Sequence, residues 1–147
     1  MPTYSARNLT PNRNANPGHG FANNLKVLEY TVSATAALTT SDVLQFGYPP
    51  NNFVLLRAVL EADDLDTNAS PTITLNIGDS GSATRLFSAA TVAQAGTAAV
   101  ADTATVAGYT YDGNTLVNGA PAANAATGVA GDIRLWLIGF IKDAATS

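Results

Sequence analysis

Gly78-Asp79-Ser80-Gly81-Ser82 sets a hydroxyl beside a carboxylate and is the stretch that most invites nucleophilic chemistry. A serine becomes a nucleophile when a histidine lies within hydrogen-bond reach and a carboxylate orients that histidine. The chain's single histidine, His19, sits far away in a Pro/Gly/Asn-rich segment, and 147 residues are too few for a two-barrel protease. What remains is a β-turn in which Asp79 and Ser80 bond local backbone and Gly81 takes the strained angle. No catalytic residue is assigned, and the chain reads as a non-enzyme.

Asp63-Asp64-Leu65-Asp66-Thr67-Asn68 places hard oxygen donors at alternating positions, as Ca²⁺ requires. The EF-hand pattern fails, because counting from Asp64 its sixth position is Ala69 and its twelfth is Leu75. A looser Ca²⁺ loop and a plain acidic, solvated loop both stay open. Zinc is unsupported, since His19 has no second histidine and no cysteine to join it. Neither GxGxxG nor GxxxxGK[ST] occurs, so nothing argues for a nucleotide, and no cofactor is assigned. Tyr109, Tyr111 and Asp112 form the one group that could stack on and hydrogen-bond a sugar.

Short runs of strand character, each closed by turn residues, must position these groups. They cover 27–32, 43–48 ending at Pro49-Pro50, 53–60, 72–77, 84–87 and 133–141. Ile73, Leu75 and Ile77 alternate with Thr72, Thr74 and Asn76, so one face is apolar and the other polar. Residues 109–111 and 115–117 flank Asp112-Gly113-Asn114, which predicts a hairpin. The stretch 89–107 mixes helix-favouring Ala with strand-favouring Thr and Val, and 118–131 reads as an Ala/Gly/Asn loop. Roughly eight strands with almost no amphipathic helix predict an all-β fold, an antiparallel sandwich of jelly-roll or related type. The last strand is apolar on both alternating sets, so both its faces should be covered. Trp136 and Phe140 share one set with Ile138, either as core aromatics or as anchors of a subunit contact.

Residues 1–25 have no strand or helix period and hold Pro2, Pro11, Pro17, Gly18, Gly20 and many Asn. Such a segment cannot bury enough apolar surface to offset its ordering entropy, so it is expected to be an extended arm that a partner orders. The sandwich domain is then 26–147. Before Glu29 the chain carries Arg7, Arg13 and Lys26 and no acid; the remainder carries all eleven acids. A basic arm on an acidic neighbour, including another copy's body, follows from that segregation. An idle solvated tail is the plainer alternative.

Charged residues make up 12% of the chain, half of the ~25% usual in soluble domains. Uncharged polar surface costs less to desolvate than charged surface, so this composition suits an exterior that is largely interface. No apolar run reaches the roughly eighteen residues of a membrane span, and the N-terminus lacks a signal's apolar core, which reads as synthesis in the cytoplasm. With an acidic body, only Arg7 and Arg13 could touch phosphate, so the folded domain is not expected to bind nucleic acid. Without cysteine, stability must come from packing or neighbouring subunits.

The block Ile73-Thr74-Leu75-Asn76-Ile77-Gly78-Asp79-Ser80-Gly81-Ser82-Ala83-Thr84-Arg85-Leu86-Phe87, followed by Ala/Thr/Gly-rich loops and Gly131-Asp132-Ile133-Arg134-Leu135-Trp136-Leu137-Ile138, resembles the small cement or decoration proteins of tailed-phage heads. The resemblance covers about residues 26–142. It implies a jelly-roll-like sandwich on the outer surface of a virion shell, made in the host cytoplasm, acting as a dimer or trimer. Its partners would be the major capsid protein and other copies of itself, with Arg7, Arg13, Trp136 and Phe140 as candidate contact residues. A carbohydrate-binding adhesin module is the alternative from another class.

Overall fold

Ile73, Leu75 and Ile77 are fully buried while Thr74 and Asn76 between them are half-buried, so the period of two read from sequence is the period of the structure. The computed structural model describes residues 25–142. Among these residues nine strands follow one another: β1 (Leu25–Ala34), β2 (Leu44–Gly47), β3 (Asn51–Ala62), β4 (Thr74–Asp79), β5 (Ser82–Ala90), β6 (Ala98–Ala101), β7 (Thr110–Asp112), β8 (Val117–Ala123) and β9 (Gly131–Ile141). A single 3₁₀ turn, Val92–Gln94, is the one helical element among the described residues.

All pairings are antiparallel, and they form two sheets. One runs β1-β9-β3-β6, with β7 also on β3; the other runs β2-β8-β4-β5. β1 pairs β9, β2 pairs β8, β3 pairs β6 and β4 pairs β5. These are the pairings of one long hairpin rolled up so that successive pairs fall in alternate sheets. The fold is therefore an antiparallel β-sandwich of jelly-roll type, with β7 an addition to the returning limb. Its interior is filled by Phe53, Leu55, Leu60, Leu75, Ile77, Leu135 and Leu137 from both sheets, closed at one end by Leu65 and Ile133.

Three local expectations are corrected. Residues flanking Asp112-Gly113-Asn114 do not pair with each other: β7 joins β3 in one sheet, and β8 joins β2 and β4 in the other. The turn itself is as read, with Gly113 at φ +82° and Asp112 Oδ1 accepting the Asn114 N–H at 2.9 Å, but it carries the chain across the sandwich. The stretch 118–131 is not all loop, because β8 occupies its first half. Its Pro121, which has no N–H to give, lies beyond the last β2 pair and beside a register slip against β4, where the ladder is already irregular. Gly81 does not adopt a positive φ; the glycine this turn needs is Gly78, where a Cβ would stand 2.0 Å from the Ser82 carbonyl oxygen. The ambiguous 89–107 stretch resolves into the end of β5, the 3₁₀ turn and β6.

Candidate functional site

Ser80 is exposed at the tip of the β4–β5 turn. Its neighbour Asp79 is buried and fully occupied: Oδ1 accepts the N–H of Gly81 at 2.9 Å and of Ser82 at 3.0 Å, and both oxygens engage Arg85. The Arg85 guanidinium lies 3.8 Å from the centroid of the Tyr109 ring, and Tyr109 meets Tyr111 edge-on at 4.9 Å. This carboxylate neutralises an arginine and ties a turn. His19 lies outside the described residues.

The acidic loop is likewise engaged. Asp66 is buried, with Oδ2 accepting the N–H groups of Thr72 (2.7 Å), Ala126 (2.8 Å) and Ile73 (3.2 Å). Oδ1 accepts those of Thr127 (2.8 Å) and Asn68 (3.4 Å). Burial works to raise its pKa, but the N–H groups of Thr127, Ala126, Thr72 and Ile73 outweigh that and hold it far below the usual carboxylate range. Both oxygens are spent on backbone donors, so Asp66 has little to offer a cation. Asp63 accepts the Asp132 N–H at 2.8 Å, and that bond and Arg134 hold its pKa down against a smaller opposing effect of burial. Asp64 accepts the Asp66 N–H at 3.1 Å. Among the described residues no three His, Asp or Glu side chains converge as metal ligands.

The sugar-binding group comes apart as well. Tyr111 is buried, and burial, with Asp79 nearby, pushes its hydroxyl above the ordinary tyrosine value; the hydroxyl has no partner among the described residues. Arg85 covers the face of Tyr109, and Asp112 holds its own turn through Asn114 and the Thr115 hydroxyl. Tyr109, Tyr111 and Asp112 therefore do not form an open sugar-stacking platform.

The sandwich's two outer faces differ sharply. In β9, Ile133, Leu135 and Leu137 point into the core, so Arg134, Trp136, Ile138 and Phe140 point outward, all half-buried. Trp136 and Phe140 are thus outer-face residues and not core aromatics. Register places Glu29 and Val59 on either side of Trp136, Val27 and Arg57 beside Ile138, and Leu25 and Val54 beside Phe140. Leu25, Val27 and Val100 are 53%, 59% and 54% exposed, and Leu56, in the β3 bulge, is 41% exposed. At one end of this apolar face Arg134 gathers Asp63, Asp132 and Glu61 at 3.3, 3.4 and 3.5 Å. The strands of the second sheet instead turn Gln45, Thr74, Asn76, Asn118 and Ala120 outward, all small or polar, and its exposed large apolar side chains are Val43 and Tyr48 just outside the two ends of β2. Composition hinted at an exterior made for contact, but only the pairing register shows that its apolar part is gathered on one sheet. Arg7 and Arg13 lie outside the described residues, and Lys26, counted with the basic arm, is a β1 residue.

A chain of the cyanophage Pam1 capsid asymmetric unit matches this fold with a TM-score of 0.76 and 43% sequence identity, covering 97% of this chain and 100% of that one. This chain belongs to the phage capsid proteins. A structural role in the virion goes with that membership. A chain from the capsid of Ralstonia phage GP4 is 28% identical over 82% of this capsid protein and 86% of its own length, with a TM-score of 0.70. The acid-stable capsid of Helicobacter pylori bacteriophage KHP30 contributes a chain 13% identical, covering 80% of this chain and 94% of that one at a TM-score of 0.54, a likeness of fold alone. No protein-family model and no curated protein matches. Among the described residues no helix is long and apolar enough to cross a membrane.

Proposed function

We propose that this capsid protein is a cement or decoration subunit that sits on the outer surface of a tailed-phage head, in contact with the major capsid protein and with other copies of itself, and performs no catalysis. The observation that carries this reading is the two-sidedness of the sandwich. A protein bound to the outside of a shell needs one face to dock and one to meet water; the five-stranded sheet presents aromatic and aliphatic side chains, and the four-stranded sheet presents amides and hydroxyls. A face four strands wide and about ten residues long measures roughly 19 by 34 Å, on the order of the ~800 Å² that each partner gives to a standard interface. The charges on that face, Glu29, Arg57, Glu61 and Arg134, must be paired by the partner or lie at the rim, and Arg134 is already neutralised by Glu61, Asp63 and Asp132. Many copies on a symmetric shell then act together through high effective concentration.

The test is reconstitution on head shells stripped of this protein. Wild-type protein should appear as added density on the outer surface in electron micrographs, and the decorated shells should survive heating that bursts bare ones. Density only inside the shell, or decoration without any gain in heat resistance, contradicts the reading.

A further inference from the structure

Among the described residues β1 is the longest strand at a sheet edge; β5, nine residues long at the edge of the other sheet, pairs with β4 through two register slips. Among the described residues β1 pairs with β9 alone, which leaves one side of a ten-residue strand unpartnered. Its register against β9 runs unbroken from Leu25 to Ala34, whereas the β2–β8, β3–β9, β4–β5 and β4–β8 pairings all slip. Folded proteins blunt such edges with proline, bulges, short strands or charges. β1 has no proline and no bulge, and Lys26 and Glu29 are its only charges. The opposite edge, β6, is four residues long.

The alternation of β1 dictates what an added strand would meet. Leu25, Val27, Glu29, Thr31 and Ser33 lie on the outer face, while Leu28, Tyr30, Val32 and Ala34 pack against the core. The chain's own beginning supplies a match. Pro2 and Pro11 bracket the proline-free run Thr3-Tyr4-Ser5-Ala6-Arg7-Asn8-Leu9-Thr10. Laid antiparallel with Arg7 opposite Glu29, this run sets Leu9 on Val27, Ser5 on Thr31 and Thr3 on Ser33. On the other face Tyr4 meets Val32 and Ala6 meets Tyr30. Ion-pair, aliphatic and hydroxyl cross-strand pairs of this kind stabilise an antiparallel ladder. In the same register Pro11 falls opposite Leu25 and Pro2 opposite Ala34, the two ends of β1, where a missing N–H costs least.

We infer that residues 3–10 of a neighbouring copy add to the free edge of β1 as an antiparallel strand, so that the arm stitches copy to copy. The inference rests on the reading of the protein as a shell-bound subunit, where neighbouring copies are held close. Residues 11–24 lie between the run and its own β1. Extended, they reach about 46–50 Å, beyond the roughly 35 Å width of a domain of this size. Returning the run to its own β1 would require those residues as a structureless loop of a length compact domains seldom use.

Because the chain has no cysteine, single cysteines report the pairing cleanly. Directly opposed residues of an antiparallel pair fall within disulfide range. Shells decorated with an equal mixture of Ser5→Cys and Thr31→Cys proteins and then oxidised should yield covalent dimers. Neither variant alone should, nor should Ala6→Cys mixed with Thr31→Cys, whose side chains face opposite ways. Protein that decorates the shell yet cross-links no better than the mismatched pair overturns the strand addition and leaves the cement reading intact. A Ser5→Cys/Thr31→Cys double variant that closes its disulfide within one chain also overturns it. Failure to decorate shells overturns the cement reading instead, and oxidation of the same mixture in free solution then decides the strand addition: dimers support it, and their absence rejects it.

Discussion

The carboxylate of Asp66 accepts the backbone N–H of Ala126 at 2.8 Å across sixty residues of sequence. With its bonds to Thr127, Thr72 and Ile73 it clamps two loops at one end of the sandwich, beside the isolated bridge from Asp66 to Gly128. Asp66→Asn keeps the shape but aims an amide NH₂ at N–H donors, leaving buried groups unsatisfied. It should lower Tm by about 5–10 °C as followed by circular dichroism. Asp64→Asn, at an exposed position whose single accepted bond the amide oxygen can still take, should stay within ~2 °C of wild type.

The pH dependence of stability carries the same signature. Asp63, Asp66 and Asp112 all have folded-state pKa values below the ordinary carboxylate value. A depressed folded pKa contributes stability that is complete above the unfolded value, about 3.9 for Asp, and is lost as pH falls through the folded value. Tm should therefore be flat with respect to these groups above about pH 5 and fall steadily below about pH 4. Asp66→Asn should show a shallower acid limb than wild type. Equal acid limbs in the two proteins would mean that Asp66 is not the group responsible.

Sequence periodicity reached those parts of the fold where bulky apolar residues alternate, as in 53–60, 72–77 and 133–141. It failed at β8, because Asn118-Gly119-Ala120-Pro121-Ala122-Ala123 has no large side chain to betray a strand. The smallness is itself structural: a Cβ on Gly119 would stand 2.5 Å from the Ile77 Cδ1, so β8 and β4 meet closely only because it is absent. The hairpin at Asp112-Gly113 failed for another reason, since turn chemistry is local and sheet assignment is not. For the site, Trp136 and Phe140 were legible as a shared face but not as an outer one; that depends on which alternating set of β9 the other sheet covers. The Asp66 clamp left no motif to read, because its partners are backbone N–H groups.

Alanine substitution along β9 should separate the two faces. Leu137→Ala empties a fully buried position and should cost about 2–5 kcal/mol. Trp136→Ala and Phe140→Ala, on the half-buried outer face, should cost no more than about 1–2 kcal/mol in urea melts, yet both should markedly reduce retention on shells. Large stability losses at Trp136 and Phe140 with unchanged retention would assign them to packing alone.

Ser80 should be inert. Asp79 is committed to Arg85 and to the N–H groups of Gly81 and Ser82, which leaves no base oriented beside the hydroxyl. Incubation with a fluorophosphonate probe should leave the protein's mass unchanged, and Ser80→Ala should melt within ~1 °C of wild type, as exposed substitutions usually do. Stoichiometric labelling at Ser80 would reverse the non-enzymatic reading.

Removal of residues 1–24 should leave the sandwich intact and weaken its hold on the shell. β1 begins at Leu25, so every described strand and every described core residue survives the truncation. Far-ultraviolet circular dichroism and Tm should accordingly match those of the full chain. Retention follows different physics. Each ordered arm residue costs about 1–2 kcal/mol of backbone entropy, so the arm stays bound only where ladder bonds, cross-strand pairs and charge attraction together exceed that sum. Arg7 and Arg13 bring positive charge to an acidic body, and their attraction is felt within a Debye length of ~8 Å at physiological salt. The truncated protein should leave shells at lower ionic strength than the full chain, and the gap between them should narrow as salt rises and screens the arm's charges. Unfolding on truncation would make the arm part of the core, and identical retention at every salt concentration would make it an idle tail.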